Sequence, residues 1–165
     1  MMRTLIVTAA LMLPTGGALA AEDAFVEFRT LKPELAMQAA MAAMEHCRAE
    51  GYQVGVAVTD RSGTLQAFVR DRFAGAHVEE TARRKAWTAA SFRTSTLDLG
   101  ELTAPGTIYA GIRDLDQALA LGGGVTIEHA GAIVGAIGVS GAPGPDLDDT
   151  CAREGIAAIE EAMGF

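Results

Sequence analysis

The chain has 165 residues, half of them hydrophobic, with 13 Lys and Arg against 21 Asp and Glu and a formal charge of −8. An acidic balance without clustered cations excludes binding to a nucleic-acid phosphate backbone and gives no support for docking on anionic lipid. The only cysteines, Cys47 and Cys151, form neither a CxxC pair nor part of a dense His/Cys cluster, so the usual thiol redox and structural zinc patterns are missing.

The chain begins MMRTLIVTAALMLPTGGALA. One cation, Arg3, precedes an apolar run over residues 5–13, which Pro14, Gly16 and Gly17 interrupt before Ala18-Leu19-Ala20 supplies an A-x-A cleavage pattern. This layout predicts a signal peptide over residues 1–20 and a periplasmic or secreted protein. The run is far short of the ~20 residues a membrane span needs, and no later segment reaches that length. Cleavage would remove Arg3 and take the charge from −8 to −9. The remaining 21–165 are enough for one domain with a real core and too few for two ordinary ones.

Pro33 suits the first turn of a helix. Leu35, Ala39, Ala42, Ala43, His46 and Cys47 then recur at helical spacing until Gly51. His46 lies beside this apolar stripe and reads as a structural residue. In QVGVAVTDRSGTLQAFVR, Val54, Val56 and Val58 alternate with the small Gly55, Ala57 and Thr59, which predicts a strand. Asp60-Arg61-Ser62-Gly63 is turn chemistry, and residues 64–70 continue as the antiparallel partner. The small-residue face would let a helix pack closely.

Residues 78–92 are again helical, with Val78, Ala82, Ala86 and Ala89 as the stripe. Glu79 with Arg83 and Glu80 with Arg84 are i,i+4 pairs in the favourable order, which accounts for much of the charge as a solvated face. Residues 93–113 look irregular, with one short helix around 97–102. Strands follow from Val125 and over 132–140, joined through His129-Ala130-Gly131. A final helix over 146–163 places Leu147, Cys151, Ala158 and Ala162 on one stripe. The order α-β-β-α-loop-β-β-α implies an antiparallel sheet with helices packed on it. Cys47 and Cys151 then project from apolar faces of the first and last helices, where in an exported protein they form a disulfide or remain two buried thiols.

Few motifs carry chemistry. Gly122-Gly123-Gly124 lacks the GK[ST] ending of a phosphate loop and precedes a strand, so it reads as a sharp turn. Gly138 to Ala142 (GVSGA) misses the last glycine of a nucleophile elbow and has no downstream histidine. The histidines at 46, 77 and 129 lie on three elements without ligand spacing. Carboxylate neighbours such as Glu79/Glu80 and Asp148/Asp149 diverge on a helix and make no acid–base pair. His77 differs. At ~100° per residue it lies well over 90° from the stripe of its helix, on the same face as Arg84 and near Trp87. Its imidazole therefore faces solvent, a ligand or a neighbouring subunit.

The D-x-x-G hairpin of VAVTDRSG, the following R-x-x-x-A-G-A (residues 70–76), the KAWTA segment (85–89) and GGG…GAIGVSG (122–141) resemble the haem-binding HbpS/GlcG family. That family is also similar to the C-terminal domain of PduO-type proteins, and the likeness spans the whole chain after the leader. It implies a profilin-like three-layer α/β/α fold with a five-stranded antiparallel sheet, the fifth strand around residues 107–113, and assembly into homo-oligomers. It also implies haem as ligand. Haem needs an axial donor, an apolar slot and cations for its propionates, and His77, Trp87 or Phe73, and Arg84 are the candidates. The expectation is an exported, non-catalytic haem-binding protein of haem or iron handling. The alternative is a haem-free small-molecule-binding or accessory subunit of a periplasmic oxidation system.

Overall fold

The structure, a computed structural model, describes residues 25–164; the expected leader over 1–20 lies outside the described residues. Helix α1 (Pro33–Ala49) starts with proline in its first turn and buries Ala36, Ala39, Ala40, Ala43, Met44 and Cys47. That stripe is rotated slightly from the expected one, leaving Leu35 and His46 half-buried. Strands β1 (Gly55–Asp60) and β2 (Leu65–Arg70) form the expected hairpin. Its turn is held by Asp60 Oδ1, which accepts from the backbone N–H groups of Ser62 and Thr64 at 2.8 and 2.9 Å.

Helix α2 (Val78–Phe92) follows, then the short α3 (Thr96–Leu102), whose N-terminus Ser95 caps by accepting from the Asp98 N–H. Strands β3 (Gly124–His129) and β4 (Ala132–Ser140) and helix α4 (Pro145–Met163) complete the chain. The strands are antiparallel in the order β2-β1-β4-β3.

The two faces of the sheet take different partners because of what alternates along β1 and β4. Val56 pairs with Val139 and Val58 with Ile137, and these side chains join α1 and α4 in the main core. The intervening positions pair Gly55 with Ser140 and Ala57 with Gly138. This small face receives α2, where Ala57, Ala82 and Ala86 form their own cluster. The fit is backbone-close: a Cβ at Gly138 would run into the Ala82 carbonyl, and one at Gly55 would lie 2.6 Å from Val78 Cγ2. The result is the expected three-layer α/β/α architecture.

Three details differ from the sequence reading. The described residues hold four strands, not five. Where the fifth was expected over 107–113, the chain instead makes a 3-10 turn at Ala110–Asp114. Gly106 at φ +90° turns the chain there, and the Arg113 guanidinium donates to the carbonyls of Thr103 (2.7 Å) and Gly100 (2.8 Å), folding the segment back onto α3. On α4, Ala158 and Ala162 are exposed, and the buried stripe runs through Asp148, Cys151, Ala152, Gly155 and Ile159. Gly155 is the reason: a Cβ there would lie 2.6 Å from the Ala39 carbonyl of α1, so the helices meet through the glycine. Of the two i,i+4 pairs on α2, Glu80–Arg84 closes at 3.6 Å and Glu79–Arg83 does not form.

Cys47 and Cys151 are bonded, with Cα atoms 5.6 Å apart, and join α1 to α4. Among the described residues no helix is long and apolar enough to cross a membrane.

Candidate functional site

The segment between β2 and α2 is shaped by charged anchors. Asp71 is buried beneath Arg48 of α1, whose Nε donates to it at 2.8 Å, and it also accepts from the N–H of Arg72. The Arg48 hydrogen bond holds the Asp71 carboxyl below the usual carboxylate range. Arg70 Nε donates to the Ala74 carbonyl at 3.1 Å, so the first residue of R-x-x-x-A-G-A secures its own turn. Gly75 then leaves room for the His77 ring; a Cβ there would stand 2.7 Å from both Nδ1 and Cε1.

His77 occupies the N-cap position of α2, exposed as the helical arithmetic expected, and its ring makes no hydrogen bond among the described residues. It stands at the lip of a cleft of about 290 Å³. The walls are the first turns of α2, the 141–145 loop with the start of α4, and Leu121.

The floor of this cleft holds the residues that the sequence reading missed. Lys85, 1% exposed, donates to Asp148 Oδ2 at 2.7 Å and to the Val139 carbonyl at 2.9 Å. Asp148 Oδ1 accepts from the Ala142 N–H at 2.9 Å. Burial pushes the Lys85 ammonium below the ordinary lysine value, against the pull of Asp148, and burial likewise raises the Asp148 carboxyl. Beside the pair, Thr81 Oγ1 lies 2.7 Å from Ser140 Oγ and 2.9 Å from the His77 carbonyl.

The glycines of GGG serve this pair. A Cβ at Gly123 would lie 2.7 Å from Asp148 Cβ and 3.0 Å from Lys85 Nζ, and one at Gly124 would collide with the Lys85 carbonyl. A signal for Lys85 was present in the sequence. It falls seven residues after Val78, about 20° from that residue and at the edge of the apolar stripe, and a cation there requires a buried counter-charge.

The remaining candidates lie elsewhere. Arg84 turns to the 117–121 segment, donating to Ala118 O at 2.9 Å and Gln117 O at 3.4 Å, and lines a neighbouring depression of about 280 Å³ with Arg113. Leu121 borders both hollows. Trp87 packs over the D-x-x-G hairpin, where Gly63, at φ +83°, has no Cβ to strike the indole; it is no wall for the cleft. Phe73 is 79% exposed beside the Ala74-Gly75 turn. His46 sits on α1, and His129 at the end of β3 meets Arg29 Nη1 at 2.9 Å, so the three histidines do not converge. Among the described residues no group of three His, Cys, Asp or Glu side chains could hold a metal ion.

An α/β/α domain whose small-residue sheet face presses a helix against a buried Lys–Asp pair is the class that fold and site define. The chain belongs to the HbpS-like family, described as haem degrading protein HbpS-like, whose model matches residues 31–157. It is 38% identical to HbpS in its crystal structure, with 84% of this chain and 96% of that one aligned at a TM-score of 0.77. It is 29% identical to PduOC in a haem complex, covering 79% of this chain and 95% of that one at a TM-score of 0.73. The corrinoid adenosyltransferase PduO of Salmonella typhimurium is 32% identical over 124 residues, 74% of this chain but 37% of that protein. The chain thus spans about a third of the length of the curated relatives it matches.

Proposed function

We propose that the chain is an exported haem-binding protein of haem or iron handling, with His77 as axial donor to the iron and Arg84 as a propionate partner. The observation that carries this reading is the placement of His77: an exposed imidazole without a hydrogen-bond partner among the described residues, at the lip of a cleft. Around it the chain supplies exposed apolar side chains in Phe73 and Leu121, and past Leu121 the Arg84 cation in the adjoining hollow. Membership of the HbpS-like family and the likeness to the PduOC haem complex support the choice of ligand. When bound, haem would supply its own iron chemistry; the protein's part is to orient the ring and limit its contact with water.

The cleft, at about 290 Å³, is at the small end of ligand sites, which span about 300–1,000 Å³. A porphyrin would be held by the residues at its mouth, His77 and Leu121, and a second subunit would supply a further wall. Exposed Ile108, Tyr109, Leu115 and Leu121 are apolar surface available for such assembly. The Cys47–Cys151 bond supports export, since disulfides persist in oxidising compartments.

Titrating the purified protein with hemin and following the Soret band tests the reading. A saturable shift is expected. A strictly linear increase, as free hemin gives, would reject haem binding. Slow loss of the saturated band with release of iron would move the assignment from haem carriage to haem degradation.

The alternative, a haem-free small-molecule-binding or accessory subunit of a periplasmic oxidation system, is favoured by the polarity of the cleft floor, where an ammonium, a carboxylate and two hydroxyls meet.

A further inference from the structure

The cleft floor has unused hydrogen-bonding capacity, and that capacity is for donating. The Asp148 oxygens are taken by Lys85 and by the Ala142 N–H. The Lys85 ammonium has three protons, of which Asp148 and the Val139 carbonyl take two. The Thr81 hydroxyl has a single proton, shared in geometry between the His77 carbonyl and Ser140 Oγ. Turning it onto Ser140 releases the Ser140 proton to the cleft. His77 can add a ring N–H at the lip. A volume of about 290 Å³ holds roughly ten non-hydrogen atoms at the ~30 Å³ each water occupies in the liquid. That is much less than a porphyrin and ample for a small acid.

We propose that the floor of this cleft, formed by Lys85, Thr81 and Ser140 beneath His77, is a binding site for a carboxylate group. A carboxylate is the compact acceptor that takes several converging donors at once, and it leaves both bonds of the Lys85 ammonium in place. An amine or other cation would meet the Lys85 ammonium, beside Asp148 oxygens that already accept from Lys85 and from the Ala142 and Gly141 N–H groups. The site does not rest on haem: the group is either that of a free small organic acid or a haem propionate.

The test is an amide NMR titration of the whole exported chain with lactate, and with lactamide as its neutral counterpart. Lactate should give saturable shifts at Thr81 and across residues 140–144. Lactamide should bind about ten- to hundredfold more weakly, the size of a charge-assisted hydrogen bond. Ser140→Ala should weaken lactate by a similar factor while leaving the melting temperature close to wild type. Because Lys85 variants risk failing to fold, Thr81→Val is the second variant; Ser140 keeps its own proton there, so lactate should weaken by less than in Ser140→Ala, and a larger loss would overturn the donor role of Ser140.

A parallel arm compares hemin with hemin dimethyl ester. If lactate is silent but the ester binds about tenfold more weakly than hemin in wild type and equally in Ser140→Ala, the carboxylate is a propionate. Equal behaviour of acid and neutral probe in both arms would overturn the proposal. Lactate binding without any saturable Soret change would overturn the haem reading alone.

Discussion

Lys85 and Asp148 are both nearly without solvent, and the cost of desolvating each is offset by the other, by the Val139 carbonyl and by the Ala142 and Gly141 N–H groups. Removing one partner leaves an uncompensated buried charge, for which about 3–5 kcal/mol is typical. Lys85→Met should therefore lower the urea-unfolding free energy by about that amount, and Lys85→Met with Asp148→Leu should recover most of it. A single substitution costing less than about 1 kcal/mol would contradict the burial of the pair.

Asp71 tests the loop in front of His77 through pH. Its folded carboxyl is held below the unfolded value of 3.8 by Arg48. Its contribution is thus fully present above pH 3.8 and is lost as pH falls through the lower folded value. Urea midpoints of wild type should drop across that window, and Asp71→Asn should flatten the drop. Parallel curves for the two proteins would count against the Arg48–Asp71 bond.

At this scale the sequence was legible for His77, whose exposure follows from the angle it makes with Val78 and Ala82. It was not legible for Lys85 and Asp148, because charge was read as a sign of solvent. The adjacent carboxylates do diverge, as their spacing predicts, but toward buried positions, Asp148 under Lys85 and Asp149 against Arg153 at 2.7 Å.

Among the elements, the seam between α2 and the sheet is the tightest. Gly138→Ala would force a methyl into the Ala82 carbonyl, and overpacking of this kind costs typically 1–3 kcal/mol and occasionally more. Its melting temperature should fall accordingly, with an unchanged value refuting the close approach. Across the sheet, the Cys47–Cys151 bond spans 104 positions, and the chain-entropy model assigns about 4.7 kcal/mol to a loop of that order. Wild type in reductant, or Cys151→Ala, should lose about 2–5 kcal/mol of stability. No loss on reduction would mean that the thiols do not pair.

Element order and nearly every boundary were readable, since the periods of 3.6 and 2 switch cleanly along the chain. Over 107–113 the irregular course read from the residues is the one the chain takes; the strand implied by the resemblance is absent there, and Arg113 instead reaches two carbonyls of α3, a tertiary contact with no local signature. The α4 stripe misled for a related reason. Gly155 has no side chain to mark it as apolar, yet it is where α1 and α4 touch.

For the whole molecule, the motifs that carry the family resemblance resolve into one construction around α2. The D-x-x-G hairpin supports Trp87, Arg70 fixes the Ala74-Gly75 turn, the GGG segment presses on Lys85, and GVSG supplies Ser140 to the cleft. These contacts join distant parts of the sequence at the helix that carries His77, which explains why the site could be suspected from motifs but not assembled from them. Arg84, expected on the face of His77, donates to Gln117 and Ala118, and Leu121 borders both its hollow and the cleft of His77.

The central claim, that His77 at this cleft is the donor to haem iron, is tested most directly by comparing hemin titrations of wild type and His77→Ala at the Soret band. The account predicts a saturable band in wild type and, in the variant, an altered band position with about tenfold or greater loss of affinity. A variant whose band and affinity match wild type would contradict it.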